Sequence, residues 1–284
     1  MRLGLFVLLL GFAARADHLV TDPGAPFPGT IDMPRSTAMG GAQAAIASSN
    51  DALLVNPAGL PQNHRYHFEL DGADDVHFPA QGITASIVDS ASGPAATGAI
   101  FNRWGSGQPA GRGEGWSAGL AYAGQISSTL FAGGETKYIR YHTPDGLVTK
   151  FAEDFGVLSK SGNFSWALVV QNLSFDIVPL FPLTGTAGVA WGSDTSWHLA
   201  FDYKMDFSDT NNLKHTGMLG GEWLVDEGIV LRGGFRRDFT ADINWVSAGF
   251  AVLTTGAGLQ VSWRRRINGP FDQIFEAGIT LFLE

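Results

Sequence analysis

The sequence contains no cysteine, which excludes disulfide bonds, cysteine-based metal sites and a lipoprotein anchor. Charge is also scarce: only 16% of the residues are Asp, Glu, Lys or Arg, and no basic run is long enough to indicate nucleic-acid binding. Beyond the N-terminus no apolar run reaches the length of a membrane-spanning helix. Any membrane that this chain crosses must therefore be crossed by strands.

Glycine and aromatic residues are abundant instead. There are 37 glycines, aromatics make up 12% of the 284 residues, and the mean hydropathy is close to zero. A chain of this length forms one large domain or two small ones. The mixture is typical of a β protein with many turns and an apolar, aromatic exterior.

The first 16 residues have the features of an export signal. Arg2 supplies the positive start, Leu3–Ala13 the apolar core, and an A-x-A cleavage pattern at 14–16 precedes Asp17. A membrane anchor would need about 20 apolar residues. We therefore expect a cleavable signal peptide and export to the bacterial outer membrane.

Two unusual segments follow. Residues 17–34 contain four prolines and predict an extended leader. Residues 35–63 are rich in small side chains and nearly uncharged, which predicts a plug that fits inside a narrow space. We expect helical turns over Ala42–Ala47 and a second turn capped by Asp51. The candidate plug residues are Gly40, Gly41, Asn50, Asp51, Asn56, Pro57 and Ala58.

From residue 64 to 284 the chain alternates with period two. Between Trp197 and Phe207 every second residue is large and apolar, and the residues between are small or polar, a pattern that no helix produces. The alternation predicts fourteen strands, at 65–71, 80–89, 96–104, 115–123, 129–141, 151–160, 163–171, 183–192, 196–207, 215–225, 228–237, 244–254, 257–266 and 274–283.

Connection lengths support a transmembrane barrel. If the N-terminus is periplasmic, five of the predicted periplasmic turns are tight, and only Asp89–Ala95 is longer. The predicted external loops, His142–Lys150 among them, are all longer. Short turns on one side and long loops on the other are the rule for outer-membrane barrels. The sequence therefore predicts an all-β fold, a 14-stranded antiparallel transmembrane β-barrel with a small N-terminal plug.

Closure is required because unpaired backbone groups are costly in lipid. Alternation then places charged side chains in the lumen, and neither sign dominates. We expect cross-strand ion pairs and contacts to the plug rather than a selectivity ring. The predicted lumen charges are Asp202, Lys204, Asp206, Glu222, Arg232 and Arg264.

One external loop, Asn172–Leu183, is unusually apolar. Exposed apolar patches mark binding surfaces. Three interpretations stay open: a landing site for a hydrophobic substrate, a docking face for another protein, or a loop folded back over the barrel mouth. Its apolar residues are Phe175, Ile177, Val178, Leu180 and Phe181.

No pattern indicates catalysis, a cofactor or a metal. Asp71, Asp74, Asp75 and His77 cluster in the predicted first external loop, where a solvated turn is favoured over a calcium or protease site. Arg237 and Arg265 are predicted to point toward lipid, where they would meet lipopolysaccharide phosphates.

Residues Ala38–Leu60 carry a family resemblance. A run of small-M-G-G-A, then S-N-D-A, then N-P-A-G-L resembles the N-terminal hatch of FadL-type outer-membrane proteins. The resemblance implies a fourteen-stranded barrel, with Asn56, Pro57 and Ala58 shaping the hatch and the apolar loop forming the mouth.

The resemblance leaves two functions open. One is passive transport of hydrophobic small molecules across the outer membrane, with a hydrophobic ligand and no enzyme activity. The alternative, implied by PorV-type relatives, is a non-transporting barrel that anchors an envelope machine for secretion or gliding motility. That role would require periplasmic or lipoprotein partners.

Overall fold

The computed structural model describes residues 32–75, 81–105, 114–143, 146–174, 181–207, 213–226, 228–269 and 272–283. The predicted signal peptide at 1–16, residues 17–31 of the leader and His77 lie outside the described residues. So do four residues of the apolar loop, Phe175, Ile177, Val178 and Leu180.

The strands form a closed antiparallel barrel, which confirms the predicted fold class. Each strand pairs with its neighbours in sequence, and the last pairs with the first along ten residues. All fourteen predicted strands are present. They are β1 Tyr66–Asp75, β2 Gln81–Asp89, β3 Ala95–Gly105, β4 Gly115–Gln125, β5 Leu130–Thr143, β6 Gly146–Ser161, β7 Phe164–Leu173, β8 Thr184–Gly192, β9 Trp197–Asp206, β10 Lys214–Asp226, β11 Ile229–Asp238, β12 Ile243–Leu253, β13 Ala257–Arg266 and β14 Gln273–Leu283.

Strand β9 shows the predicted alternation. Leu199 and Phe201 face outward and are 52% and 47% exposed, whereas Ala200 and Asp202 face inward and are 1% exposed. Because successive side chains of a strand point to opposite faces, one period-two pattern sets both surfaces. The outer surface is apolar and suits a hydrocarbon layer.

Aromatic side chains concentrate near both ends of this outer surface. Trp191, Trp197 and Trp223 lie toward one end. Toward the other end, Trp116 and Tyr138 have ring centroids 5.3 Å apart and belong to a chain of outward rings. Two aromatic bands are typical of membrane barrels, because these side chains prefer the two interfaces of a bilayer.

The prediction of a long external loop at His142–Lys150 is wrong. Strands β5 and β6 continue through it in register, with Tyr141 opposite Val148, and leave only residues 144–145 as the connection. The aromatic and β-branched residues at these positions favour strand pairing. These two strands are therefore the longest of the barrel.

The first strand is also longer than predicted. It runs to Asp75, so Asp71, Asp74 and Asp75 are strand residues rather than part of a solvated turn. Asp71 and Asp75 are buried, at 4% and 8% exposure. The period-two alternation continues through the acidic run, which sequence composition alone marked as a loop.

The barrel has two distinct ends, which we name by their connections. The short-turn end carries 90–94, 126–129, 162–163, 193–196, 227–228 and 254–256. The long-loop end carries the other seven connections, of which 174–183 is the longest. Among the described residues, none of the helices has the length and apolar character needed to cross a membrane.

Residues 32–63 lie inside the barrel, and we call them the plug. The plug consists of short helical pieces joined by turns. Its pieces are α1 Pro34–Ala38, 3-10 helices Ala44–Ile46 and Ser49–Asp51, α2 Ala52–Val55, and a 3-10 helix Pro57–Gln62. Since α1 begins at Pro34, the boundary predicted at Arg35 falls inside the first helix.

The predicted cap of the second turn is absent. Asp51 stands at the N-cap position of α2, but its side chain makes no cap hydrogen bond. The carboxylate instead lies 3.5 Å from Arg35. An ion pair in the lumen has replaced the local cap.

A charge on the outer surface tests the assignment of the lipid face. We expect Phe201→Arg to destabilise the barrel in a phospholipid bilayer by about 2–4 kcal/mol. The reason is that Phe201 lies near the middle of β9, where the introduced charge would face hydrocarbon. Phe201→Leu, the control, costs less than about 1.5 kcal/mol. The measurement is a urea titration in vesicles, and equal values for the two variants would contradict the assignment.

Candidate functional site

Much of the wall that contacts the plug consists of glycine residues. Inward-facing glycines occur on eight strands at the places where plug residues approach most closely, and a Cβ at any of them would meet the plug. Without Cβ atoms, the plug and the wall reach each other at backbone distance. We call these eight residues the glycine belt: Gly98, Gly133, Gly156, Gly188, Gly220, Gly234, Gly249 and Gly278.

The plug backbone comes closest to the wall at the turn of Gly40 and Gly41. Both residues have positive φ, +65° and +89°, which favours glycine. A Cβ on Gly40 would lie 2.8 Å from the backbone nitrogen of Phe235, and a Cβ on Gly234 would overlap the Gly40 nitrogen. The predicted Gly40–Gly41 pair therefore serves both the turn and its contact with β11.

The hydrogen bonds of the Asn56 side chain show why Asn precedes Pro57 and Ala58 in the plug. Its side chain is fully buried, and Oδ1 accepts a hydrogen bond from the Ala58 amide at 3.1 Å, which caps the helix that starts at Pro57. Nδ2 donates to the Ala44 carbonyl at 2.9 Å and so ties two pieces of the plug together. Gly156 leaves the space that this side chain fills.

Barrel side chains hold the plug by its backbone. The carboxylate of Asp202 accepts hydrogen bonds from the amides of Gln43 and Ala44, both at 2.8 Å. Three strands away, on β12, Ser247 donates to the Ala38 carbonyl at 3.0 Å. These bonds satisfy plug backbone groups that would otherwise be buried without partners.

The predicted plug residue Asn50 also contacts the wall. Its Nδ2 donates to Oγ of Ser86 on β2 at 2.8 Å, and both residues are buried. This contact faces the side of the barrel where β1 and β2 meet the 3-10 helix Ser49–Asp51.

Glu222 joins the plug to two strands. Its carboxylate accepts two hydrogen bonds from Arg35, both at 3.0 Å, and one from Arg232 at 2.7 Å. His198 lies 3.7 Å from the same carboxylate. A two-bond arginine–carboxylate pair fixes orientation as well as charge, so Glu222 sets the position of α1.

The network continues to the short-turn end through Asp194. His198 and Lys160 contact its carboxylate at 3.3 and 3.0 Å. A hydrogen bond with His198 and the charge of Lys160 hold the pKa of Asp194 well below its usual value. In the plug, burial lowers the pKa of Arg35, but the charges of Glu222 and Asp51 outweigh it and raise that pKa. Burial raises the pKa of Asp51, and Arg35 opposes that change.

The other predicted lumen charges lie nearer the long-loop end. Arg264 pairs with Asp32 at 3.2 Å, and Lys204 donates to Gln171 at 3.4 Å. Asp206 is 3.7 Å from Lys214. These charges form contacts between strands and with the plug, and they are spread over the lumen instead of meeting at one point.

At the long-loop end, Phe181 packs against the inner face of the wall. Its ring lies 5.5 Å from that of Trp104 and 6.0 Å from that of Tyr141. Of the three interpretations of the apolar loop, this residue fits the one in which the chain folds back over the mouth. The rest of that apolar sequence lies outside the described residues.

Sequence reasoning missed three groups of site residues. The sequence marks Arg35 as the start of the plug, and the signal for its contact is that a buried arginine requires a carboxylate partner. The number of glycines predicts turns, whereas the members of the glycine belt lie within strands. Period-two alternation places Trp104 and Tyr141 inside the barrel but predicts no contact for either.

No metal centre emerges from the part of the chain that the structure describes, because no three His, Asp or Glu side chains form a group that would hold an ion. The acidic run of β1 therefore provides no calcium site among these residues. Arg237, predicted to face lipopolysaccharide, pairs with Asp242 at 2.9 Å and lies over Phe239.

Solved structures share this architecture. The CymD monoaromatic hydrocarbon channel aligns with a TM-score of 0.71 at 13% identity, over 89% of this chain and 97% of that chain. The chain has the barrel fold of the FadL type. The toluene transporter TbuX of Ralstonia pickettii matches with a TM-score of 0.65 at 13% identity, over 88% and 97% of the two chains. A FadL homologue of Pseudomonas aeruginosa matches with 0.66 at 9% identity, over 88% and 98%.

The fold implied by the hatch resemblance is thereby confirmed. No protein-family model and no curated protein matches the sequence. At 9–13% identity the likeness describes the fold and assigns no role to individual residues.

A pair of neighbouring glycines tests the plug seat. Gly234→Ala places a Cβ against the plug backbone, whereas Gly233→Ala, the matched control, places one outward with its nearest atom 3.9 Å away. Overpacking of about 1–3 kcal/mol would raise the fraction of unseated plug about 5- to 150-fold.

The readout uses the absence of native cysteine. A Ser36→Cys probe in the buried part of α1 is labelled with a water-soluble maleimide. We expect Gly234→Ala to accelerate labelling and Gly233→Ala to leave the rate unchanged. Equal rates would show that the belt does not seat the plug.

Removing one charge tests the Glu222 junction. Glu222→Gln leaves Arg232 buried without a counter-ion and Arg35 with only Asp51, 3.5 Å away, and we expect a loss of about 3–5 kcal/mol in the free energy of unfolding. Lys160→Gln breaks a more exposed pair and costs at most about 1 kcal/mol. Urea titration in vesicles measures both, and a Glu222→Gln cost as small as that of the control contradicts the junction.

Proposed function

We propose that this protein is a passive channel for hydrophobic small molecules across the bacterial outer membrane. The observation that carries the proposal is a barrel lumen filled by a segment of the chain itself, held by hydrogen bonds, ion pairs and packing. A segment that fills the lumen and is not continuous with the sheet can open and close a path through the barrel. The matched channels and transporter support the proposal through their fold.

The plug contacts the whole circumference of the wall. Helix α1 touches β11 to β14, and the other pieces touch β1 to β9. Gly220 and Glu222 supply the contact with β10. A solute that follows the lumen must therefore wait for the plug to shift, and the proposed channel is gated by this segment.

The plug is held in a way that permits such a shift. Its contacts with the wall combine small side chains, bare backbone and polar junctions centred on Asp202 and Glu222 with two apolar clusters that include the larger plug residues Met39 and Leu53. Breaking a few such junctions costs a few kcal/mol.

The outer surface supports the proposed location. Apolar side chains alternate outward, and aromatic bands lie near both ends, as expected for a barrel in outer-membrane lipid. With the short-turn end in the periplasm, lipopolysaccharide would surround the long-loop end. We expect Arg265, which is exposed near the end of β13, to meet its phosphates.

The alternative, a non-transporting barrel in an envelope machine with periplasmic or lipoprotein partners, has weaker support. The three similar structures are described as a channel, a transporter and a FadL homologue. We therefore favour transport.

Locking the plug tests transport directly. Cysteines at Ala44 and Gly188 would have Cβ atoms 3.1 Å apart, a few tenths of an ångström below the usual disulfide range of about 3.5–4.5 Å. The new Cβ at position 188 also displaces the Asp202 carboxylate, an effect that the single Gly188→Cys variant measures by itself. We expect outer-membrane vesicles with the wild-type protein to take up radiolabelled toluene faster than vesicles without it. The oxidised double variant should lose that gain, and dithiothreitol should restore it.

Each single cysteine variant is the control for the lock. Uptake by the wild type that is no faster than by protein-free vesicles would overturn the proposed function. Full uptake by the oxidised double variant would overturn the gating role of the plug.

A further inference from the structure

The outer surface of the barrel has a groove of about 440 Å³ across strands β9 to β11. Its floor is formed by Gly221 on β10 and Gly233 on β11, which lie opposite each other in register. Both face outward, because their neighbours Gly220 and Gly234 meet the plug on the inner face. At these four positions the wall has no side chain on either face.

Large apolar side chains border this floor. Leu199 on β9 lies opposite Gly221, and Trp223 and Leu231 lie two residues from the glycines toward the short-turn end. Trp197 stands beside Trp223 on the neighbouring strand. These four side chains are between 46% and 58% exposed, so they project from the wall. We call six residues the outer groove: Trp197, Leu199, Gly221, Trp223, Leu231 and Gly233.

The outer groove is apolar. Three further residues border it, His198, Glu222 and Arg232, but their side chains contact one another inside the barrel. Their backbone, which is paired in the sheet, is the part that borders the groove. Among the described residues no polar side chain points into this space, so its occupant must be a hydrocarbon group.

Other outward glycines are covered by rings of the protein itself. A Cβ would lie between 3.0 and 3.5 Å from a phenylalanine ring at three such positions: Gly134 beside Phe155, Gly185 beside Phe207 and Gly217 beside Phe239. A Cβ on Gly221 or Gly233 would have a backbone carbonyl oxygen as its nearest described atom, 3.9 Å away. A glycine inside a strand often marks the close approach of a ligand. The pair in the outer groove is thus left for a group from outside the chain to cover.

The position of the groove identifies what surrounds it. Trp197 and Trp223 belong to the aromatic band at the short-turn end, whereas Phe201, two residues beyond Leu199, lies near the middle of β9. Aromatic bands mark the interfaces of a bilayer, so the groove lies in hydrocarbon just below one interface. With the short-turn end in the periplasm, this is the phospholipid leaflet of the outer membrane.

A second copy of the chain fits this surface poorly. Small residues favour contacts between membrane proteins where two backbones can approach each other closely. Here Trp197, Trp223 and Leu231 project beside the glycines and would hold a flat partner surface away from them. The groove is also lined by only nine residues, whereas a specific protein interface takes about 20–30 residues a side. A narrow, flexible occupant fits better than a folded one.

We propose that the outer groove binds one acyl chain of a phospholipid, which lies over Gly221 and Gly233 beside Trp223. The chain contacts backbone below it and large side chains beside it, whereas a lipid on the rest of the wall has protein on one side only. About ten additional atom contacts correspond to about a 5- to 30-fold enrichment. This inference depends on the outer surface facing lipid and goes beyond the proposed transport.

A photoreactive phospholipid tests the site. The full protein is placed in nanodiscs of dimyristoyl phosphatidylcholine that contain a small fraction of phosphatidylcholine with a diazirine in one acyl chain. After irradiation, mass spectrometry locates the labelled residues. We expect labelling in the outer groove to exceed the average of the remaining outer wall about 5- to 30-fold.

The same substitution at two outward glycines separates the groove from the rest of the wall. Gly221→Leu fills the groove and should reduce its labelling to the level of the remaining wall. Gly72→Leu is the matched control and should leave the labelling of the groove unchanged. Gly72 lies on β1, away from the groove, and a Cβ there would meet nothing within 4 Å among the described residues. Slow maleimide labelling of the Ser36→Cys probe in both variants verifies that the plug stays seated.

The pattern in the wild type decides the question even if a variant does not fold. Uniform labelling of the outer wall would overturn the inference, and so would a Gly221→Leu pattern equal to that of the wild type. Dimers in native mass spectra that disappear in Gly221→Leu would assign the groove to a second copy and would also overturn it. Toluene uptake by the wild type tests the proposed function alone.

Discussion

Backbone hydrogen bonding in hydrocarbon is the constraint on which the structure depends. Strands in lipid have no water to satisfy their edges, so the sheet must close on itself. Closure of fourteen strands leaves a bore too wide for wall side chains alone to fill. The chain fills it with its own N-terminal segment, and the composition of that segment follows from the space available. Small residues, two left-handed glycines and short helical turns fit where longer helices would not.

The same constraint decides where charge is allowed. Lipid excludes charges from the outer face, so most of the charged side chains on the strands turn inward or lie near the rims. There they serve as anchors. Asp202 binds plug amides, while Glu222 neutralises one arginine of the plug and one of the wall. These polar contacts are directional, so they fix the position of the plug in the lumen more narrowly than the packing of its small apolar side chains does.

Much of this was predictable from the sequence, and the failures have physical causes. Period-two alternation located all fourteen strands and the face to which most of their side chains point, because successive side chains of a strand point to opposite faces. It failed at His142–Lys150, where polar residues imitate a loop although cross-strand pairing continues. The hatch sequence indicated a plug, but alternation says nothing about which wall residue a plug residue meets. Glu222 and Arg35 are 187 positions apart, and only the packed fold brings them together.

The paired glycines of β10 and β11 have a consequence for how such a chain changes over time. Gly220 lies opposite Gly234, and Gly221 opposite Gly233, yet only the first pair touches the plug. A larger side chain at Gly220 or Gly234 requires a smaller one at the plug residue that it meets. Gly221 and Gly233 face outward, so they can change without any change in the plug. Substitutions in the plug and in strands β10 and β11 should therefore occur together, and these positions should covary among related sequences.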